Sequence, residues 1–218
     1  MPPVASFRLE LAEAGPPRAG ARRSSHPALG ATHLAADKKN AQTLKATLVF
    51  LDESGFSLLP TPCKTWAPRG RTPVLWHCFN WPKLSALSAV TPNPHAYLRL
   101  VRGTIRSAEL IHFVRHLLRH IPGQVFLFWD GLNTHRSKKT RAALAAHRER
   151  LRAYRLPAYA PELNPDEGLW GWMKGYALAG QCPPDWETLE HSIRVALRRL
   201  RRRPQVIRSF FQRSPLSF

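Results

Sequence analysis

The chain has 218 residues, and its 33 lysines and arginines outnumber its 14 aspartates and glutamates, which gives a formal charge of +19. Apolar residues make up 44% of the chain, which excludes a wholly disordered basic tail, and no apolar run reaches the roughly 20 residues that a membrane span needs. We therefore expect a soluble, cytoplasmic protein without a membrane partner. Its three cysteines form no C-x-x-C pair, which argues against a disulfide framework and a zinc ribbon.

The positive charge indicates a polyanionic partner, because an excess of this size repels itself unless DNA or RNA phosphate lies near. The alternative is a solvated basic surface on a protein from a GC-rich genome. Prolines and glycines interrupt residues 1–36, which lack helical or strand periodicity. We therefore predict a mostly disordered or non-native segment over residues 1–44, a folded core over 45–178 and a basic helical extension over 179–218.

Two continuous apolar runs predict strands that are buried on both faces. Residues 47–51 form the first run, which ends at Asp52 and Glu53, and residues 125–129 form the second, which ends at Asp130. Shorter strands are predicted over residues 74–79, 84–90, 97–101 and 153–156, with a hairpin turn over 80–83.

Helices are predicted between these strands from their capping residues and apolar spacing. The predicted first residues are Ser107 as an N-cap, Ser137 for a helix to Arg150, Asn164 as an N-cap followed by Pro165, and Asp185 for a last helix that Pro204 ends. The order of strands and helices predicts an α/β fold whose sheet has a mixed edge.

Three acidic residues are candidates for chemistry. Asp52 and Asp130 follow two buried strands, whose carboxyl ends meet at one edge of an α/β sheet, and Glu167 lies in the first turn of a later helix. Carboxylates from three elements suit Mg²⁺, which prefers oxygen ligands and substrate phosphates. The alternatives are ordinary turn residues for Asp52 and Asp130, and helix capping for Glu167 and its neighbour Asp166.

Four motifs carry a family resemblance. They occupy residues 50–56 (FLDESGF), 65–70 (TWAPRG), 129–137 (WDGLNTHRS) and 161–170 (PELNPDEGLW). Together, and in this order, they resemble the DDE catalytic domain of the IS630/Tc1/mariner transposase superfamily.

The resemblance implies an RNase H-like fold with a mixed five-stranded sheet flanked by helices. It implies Asp52, Asp130 and Glu167 as the catalytic acids, which would hold two Mg²⁺ or Mn²⁺ ions. The implied activity is cleavage of DNA at transposon ends and transfer of the freed strand to target DNA.

The resemblance also implies roles for residues around the acids. Asn133 and His135 are implied as auxiliary residues that orient Asp130 or touch phosphate, although His135 could instead cap the following helix. Trp66 either stacks on a base or belongs to the core, and Trp170, Trp172 and Met173 are expected in the core. The predicted DNA contacts are Lys64, Arg69, Arg71, Arg136, Lys138, Lys139, Lys174, Arg194, Arg198 and Arg202.

The sequence departs from the family at its N-terminus, because nothing before Lys45 resembles the helix-turn-helix domains that recognise transposon ends. A separately encoded N-terminal half is therefore an expected partner, together with a second copy of the chain, since pairing two transposon ends requires at least a dimer. Two alternatives stay open: a catalytically silent DNA-binding remnant, and a nuclease of the RNase H type that acts on RNA/DNA hybrids.

Overall fold

The computed structural model describes residues 44–59, 84–131, 133–157 and 160–215. In this part of the chain, five strands form one mixed sheet in the order β3-β2-β1-β4-β5. The central strand β1 pairs antiparallel with β2 and parallel with β4, while β3 and β5 lie at the edges. The strands are β1 (Thr47–Phe56), β2 (Leu84–Val90), β3 (Ala96–Arg102), β4 (Val125–Trp129) and β5 (Leu151–Arg155). The predicted mixed five-stranded sheet is confirmed.

The two apolar runs form the centre of the sheet, as predicted, because alternate side chains of β1 and β4 enter two separate cores. Val49 and Leu127 point to one face, where they pack with the first long helix. Phe50 and Phe128 point to the other face, where their rings stack at 5.0 Å. Burying each large apolar side chain contributes about 1.5–3 kcal/mol, so the two strands that carry Asp52 and Asp130 are firmly anchored.

Six α-helices flank the sheet in the described residues. They are α1 (Ser107–His120), α2 (Asn133–Arg136), α3 (Lys138–Ala145), α4 (Asp166–Trp172), α5 (Trp186–Arg201) and α6 (Pro204–Arg213). A 3₁₀ turn (Pro161–Leu163) precedes α4, and a π-helical turn (Met173–Ala177) continues it. None of the helices in these ranges is long and apolar enough to cross a membrane.

Several predicted boundaries are wrong. The strand β1 does not end at Asp52 but continues to Phe56, because its pairing with β2 extends to the Phe56–Leu84 pair. The predicted helix from Ser137 to Arg150 is shorter, since Ser137 caps α3 and the chain turns after Ala145 to enter β5.

Two predicted caps are displaced by one residue. The N-cap of α1 is Arg106, and the Ser107 hydroxyl lies 2.8 Å from that of Ser137. Pro165 precedes the first residue of α4, while the Asn164 side chain still accepts a hydrogen bond from the backbone N–H of Asp166. The cap of the helix after Asp185 is as predicted, because its carboxylate accepts from the backbone N–H of Thr188.

The chain after residue 178 contributes to the core. Leu189 and Ile193 of α5 and Phe210 and Phe211 of α6 join the apolar cluster on the α4 face of the sheet. The predicted domain boundary at residue 178 stays a prediction. The predicted strand over residues 74–79, the turn over 80–83 and almost all of the N-terminal segment lie outside the described residues.

Candidate active site

Asp52 lies on β1, two residues beyond the last residue that β1 pairs with β4. It is only 9% exposed. Its Oδ2 accepts a hydrogen bond of 3.1 Å from the indole Nε1 of Trp170 on α4. Trp170 is buried, as predicted for a core residue, and this bond additionally fixes the orientation of the Asp52 carboxylate.

Asp130 directly follows β4 and is held by His135. The His135 Nδ1 lies 2.9 Å from Asp130 Oδ1, and its Nε2 lies 3.4 Å from Glu53 Oε1 on β1. The imidazole stacks on Trp129 with ring centroids 4.4 Å apart and planes 7° from parallel. His135 therefore links β1 to the residue that follows β4, and it is Ser137 that caps α3, through the backbone N–H of Thr140.

The first turn of α4 directs two neighbouring carboxylates to different environments. Glu167 is exposed, and in the described part of the chain its carboxylate makes no capping hydrogen bond. Asp166 is completely buried, and its Oδ2 accepts a 2.5 Å hydrogen bond from the Ser88 hydroxyl of β2. Since Asp166 and Trp170 lie four residues apart, the buried side of α4 presents both of them to the sheet.

The acidic cluster, which we define as Asp52, Asp130, Asp166 and Glu167, is electrostatically coupled. Burial, with the charges of Glu167 and Asp130 added, raises the pKa of Asp52 from 3.8 to about 7. Burial also raises the pKa of Asp166 well above its usual value, and the charge of Asp52 adds to this effect. The carboxylates of Glu167 and Asp130 therefore lie close enough to Asp52 to disfavour its ionisation.

Two cationic side chains adjoin this cluster. Burial alone would lower the pKa of His135, but the hydrogen bonds with Asp130 and the 3.4 Å ion pair with Glu53 outweigh it and raise the pKa to about 9. The Lys174 Nζ donates to the Ser54 hydroxyl at 2.6 Å and lies 5.4 Å from the centre of the Phe56 ring. Burial lowers the pKa of Lys174, while the charges of the neighbouring acids oppose this shift.

The other predicted DNA contacts fall into two groups. Arg136, Lys138 and Lys139 are exposed on α2 and α3, next to the acidic cluster. The exposed row of Arg194, Arg198 and Arg202 lies along α5 and its C-cap. The predictions for Lys64, Trp66, Arg69 and Arg71, and that for the Asn133 side chain, lie outside the described residues.

Three residues of the site were not predicted to belong to it. Glu53 is half-buried. Its position directly after Asp52, in a chain with few acidic residues, could have identified it as a residue of the site. Ser88 had no sequence signal, because its role depends on the strand register that places it opposite Asp52. Asp166 was predicted only as a helix-capping residue, and its contact with Ser88 depends on how α4 packs on the sheet.

The donor chemistry of the cluster fits a divalent metal, since carboxylate oxygens are the ligands that Mg²⁺ and Mn²⁺ prefer. A cation would also offset the repulsion from Glu167 and Asp130, which adds to the effect of burial on the pKa of Asp52. In the described residues, no three His, Cys, Asp or Glu side chains are grouped closely enough to hold a metal ion as they stand.

A mixed sheet with one carboxylate on its central strand and another directly after the neighbouring parallel strand is typical of the class of RNase H-like nuclease domains. Residues 47–190 match the family described as DDE superfamily endonuclease. The chain belongs to this family.

Solved structures with the same fold include those of the Mos1 mariner transposase. The chain superposes on the Mos1 catalytic domain with a TM-score of 0.52 and 17% identity, covering 83% of this chain and 88% of that one. It superposes on a Mos1 paired-end complex with Mn with a TM-score of 0.59 and 18% identity, covering 86% of this chain and 61% of that one. The chain thus spans about three fifths of the length of the transposase in that complex. A comparison with curated proteins found no match.

Proposed function

We propose that this chain is the catalytic domain of a transposase, which cleaves DNA strands at transposon ends and joins them to target DNA. The observation that carries the proposal is the electrostatic coupling of Asp52 to Glu167 and Asp130, contributed by separate elements of the fold. Residues in the family match supply all three carboxylates. Complexes of the similar Mos1 transposase contain Mn or Mg and transposon ends, which supports the same class of metal and substrate here.

The residues that would hold two Mg²⁺ or Mn²⁺ ions are Asp52, Asp130 and Glu167. When bound, such ions activate the attacking oxygen of a phosphodiester reaction and stabilise the leaving oxygen. Trp170 fixes one oxygen of Asp52, and His135 fixes one oxygen of Asp130, so both carboxylates are held in defined orientations. Glu167 is exposed and free to adjust. Asn133 is proposed to assist beside Asp130.

The DNA partner is proposed to contact the basic residues around the acidic cluster and on α5. Lys174 lies close to Asp52 and Glu167, where its charge would offset the phosphate brought into the site. The remaining proposed contacts are Lys64, Arg69, Arg71, Arg136, Lys138, Lys139, Arg194, Arg198 and Arg202. We further propose that the working assembly is a dimer that receives its end recognition from a separately encoded N-terminal half, and that it acts in the cytoplasm, associated with the nucleoid.

The proposal is tested by strand cleavage. The purified chain, alone and with a supplied N-terminal half, is incubated with supercoiled DNA carrying the sequences that flank its coding region, in Mg²⁺, Mn²⁺ or EDTA. We expect metal-dependent nicking and strand transfer that Asp52→Asn, Asp130→Ala and Glu167→Gln each abolish. Glu162→Gln is the matched control, because Glu162 is exposed and lies in the 3₁₀ turn just before α4.

Two results would contradict the proposal. If DNA is still nicked by each of the three single variants, the triad does not carry out the cleavage reaction. Binding of DNA without any cleavage, even with the N-terminal half present, would favour a silent DNA-binding remnant.

A further inference from the structure

Two arginines converge on the backbone directly after Asp130. Arg155 is the last residue of β5, where it pairs with Trp129, and Arg136 is the last residue of α2. A Cβ atom placed on Gly131 would lie 3.1 Å from Arg136 Nη2 and 3.4 Å from Arg155 Cδ. Both side chains therefore lie against the same glycine, and the absence of a side chain at this position allows their close approach.

Within the described residues, this pair has no ion-pair partner. In the described part of the chain, neither the Arg136 nor the Arg155 guanidinium forms an ion pair or a hydrogen bond, and both residues are exposed. Other arginines are used structurally. Arg102 binds Glu187 and Glu190, and Arg150 donates to three backbone carbonyls.

Two like charges against one glycine repel each other, so the arrangement is favourable once an anion lies between them. A guanidinium presents a planar set of donors that matches the oxygens of a phosphate, and two guanidiniums can hold the same phosphate from two sides. The pair lies against Gly131, one residue after a carboxylate of the proposed triad, so a phosphate held by it would lie beside the proposed site.

We propose that Arg136 and Arg155 form an arginine pair that binds one backbone phosphate of the DNA strand beside Asp130. This inference rests on the proposed function, since it assigns a DNA contact at the same site. It adds Arg155 to the DNA-binding residues and gives Arg136 a defined partner.

The test measures DNA binding without requiring cleavage. Affinity of the full chain for a short fluorescent duplex is measured by anisotropy in EDTA over a range of salt concentrations, for Arg136→Gln, Arg155→Gln and the double variant. The matched control is Arg152→Gln. Arg152 is exposed on the same strand, but its guanidinium lies 5.6 Å from the centre of the Phe126 ring, on the other face of the sheet from Trp129.

We expect each single substitution to weaken binding about three- to tenfold at low salt and to reduce the slope of log affinity against log salt by about one unit. The double variant should lose little more than either single variant, because both arginines hold the same phosphate. Arg152→Gln should leave the affinity and the slope unchanged.

The inference is overturned by unchanged binding in both single variants, by a double variant whose slope falls by about two units, or by an equal loss in Arg152→Gln. These outcomes are separate from those for the proposed function. If the chain cuts DNA normally but the single and double arginine variants do not show similar losses of DNA affinity, only the arginine pair is overturned. If the chain never cuts DNA but the single and double arginine variants show similar losses of DNA affinity, only the catalytic proposal is overturned.

Discussion

Asp52 combines burial with two nearby negative charges, and this gives the stability of the protein a defined dependence on pH. Its pKa is raised from 3.8 to about 7, so between these values the folded state keeps a proton that the unfolded chain has released. The free energy of unfolding must therefore fall as pH rises from about 4 to about 7. Asp52→Asn removes this contribution.

We expect the melting temperature in EDTA to fall less steeply over this range in Asp52→Asn than in the unaltered chain. Asp166 shifts in the same direction, so a smaller slope should remain in the variant. Thermal unfolding followed by circular dichroism in matched buffers checks this prediction. Parallel curves for the two proteins would show that Asp52 titrates normally.

A divalent cation should offset the free-energy cost of ionising the carboxylates of the acidic cluster in the folded protein. Since the ligands must be deprotonated, Mn²⁺ should raise the melting temperature at pH 8, where Asp52 is largely ionised, and have little effect at pH 5. The stabilisation should be smaller in Asp52→Asn and Glu167→Gln, while Glu162→Gln should respond like the unaltered chain. Equal stabilisation at both pH values would place the metal elsewhere.

His135 affects stability in a different pH range. Its pKa is raised from 6.5 to about 9, so its ionic contribution is fully present below about 6.5 and is lost as pH rises through about 9. His135→Phe keeps an aromatic ring on Trp129 but removes the contacts with Asp130 and Glu53. We expect the variant to lose about 1–3 kcal/mol at pH 6, because it leaves Glu53 half-buried without a partner.

The decisive measurement for His135 is urea unfolding at pH 6 and pH 9.5. The difference in unfolding free energy between the variant and the unaltered chain should be large at the first pH and small at the second. A difference that does not change with pH would mean that His135 acts through packing alone.

At the scale of elements, the strands of the catalytic sheet could be predicted and several connections between elements could not. The central strands were visible because strands that are buried on both faces are apolar at every position, and Asp52 and Asp130 interrupt that pattern. The helix α6 was missed because Pro204 was taken only as the end of α5, although proline is equally suited to the first turn of a new helix. Its signal was present in the helical spacing of Ile207, Phe210 and Phe211.

The sequence predicted the carboxylates of the site but not the residues that form hydrogen bonds with them. Acids that follow buried strands carry a local signal, whereas the bond from Trp170 to Asp52 joins residues that are 118 positions apart. The contact between Ser88 and Asp166 similarly depends on how α4 packs on β2. Such contacts are set by tertiary packing, which a single sequence does not reveal.

The packing of α4 against α6 is close at one glycine. A Cβ atom on Gly168 would lie 2.7–2.9 Å from three atoms of Phe210, which is buried and cannot easily move. Gly168→Ala should therefore destabilise the protein by about 1–3 kcal/mol through overpacking. Because α4 carries Glu167, the substitution should also weaken metal-dependent cleavage.

Gly171 on the same helix is the matched control. A Cβ atom there would meet nothing within 4 Å, so Gly171→Ala should stabilise the protein by about 0.5–1 kcal/mol through the higher helix propensity of alanine. Chemical unfolding of both variants checks the pair of predictions. If the two substitutions have equal effects, α4 and α6 are not in the close contact described.

At the scale of the whole molecule, the formal charge of +19 is distributed so that it does not disturb the core. The helix α5 buries Leu189, Ile193 and Leu200 on one side. The row of Arg194, Arg198 and Arg202 recurs every four residues and stays exposed on another side. One helix can therefore stabilise the fold and present a stripe of positive charge to a polyanion.

This separation predicts that the two roles of α5 can be changed independently. Replacing Arg194, Arg198 and Arg202 together by Gln should reduce the slope of log DNA affinity against log salt by up to about three units, because each phosphate contact releases about one counterion. The melting temperature should change little, since Arg194 has only a 3.9 Å ion pair with Glu190 and exposed pairs contribute little to stability. Arg115→Gln with Arg119→Gln on α1 is the control, because both arginines are exposed on the helix that packs on the other face of the sheet. If the control lowers the slope by as much per charge removed, DNA binds the whole basic surface without preference, and α5 is not the specific contact.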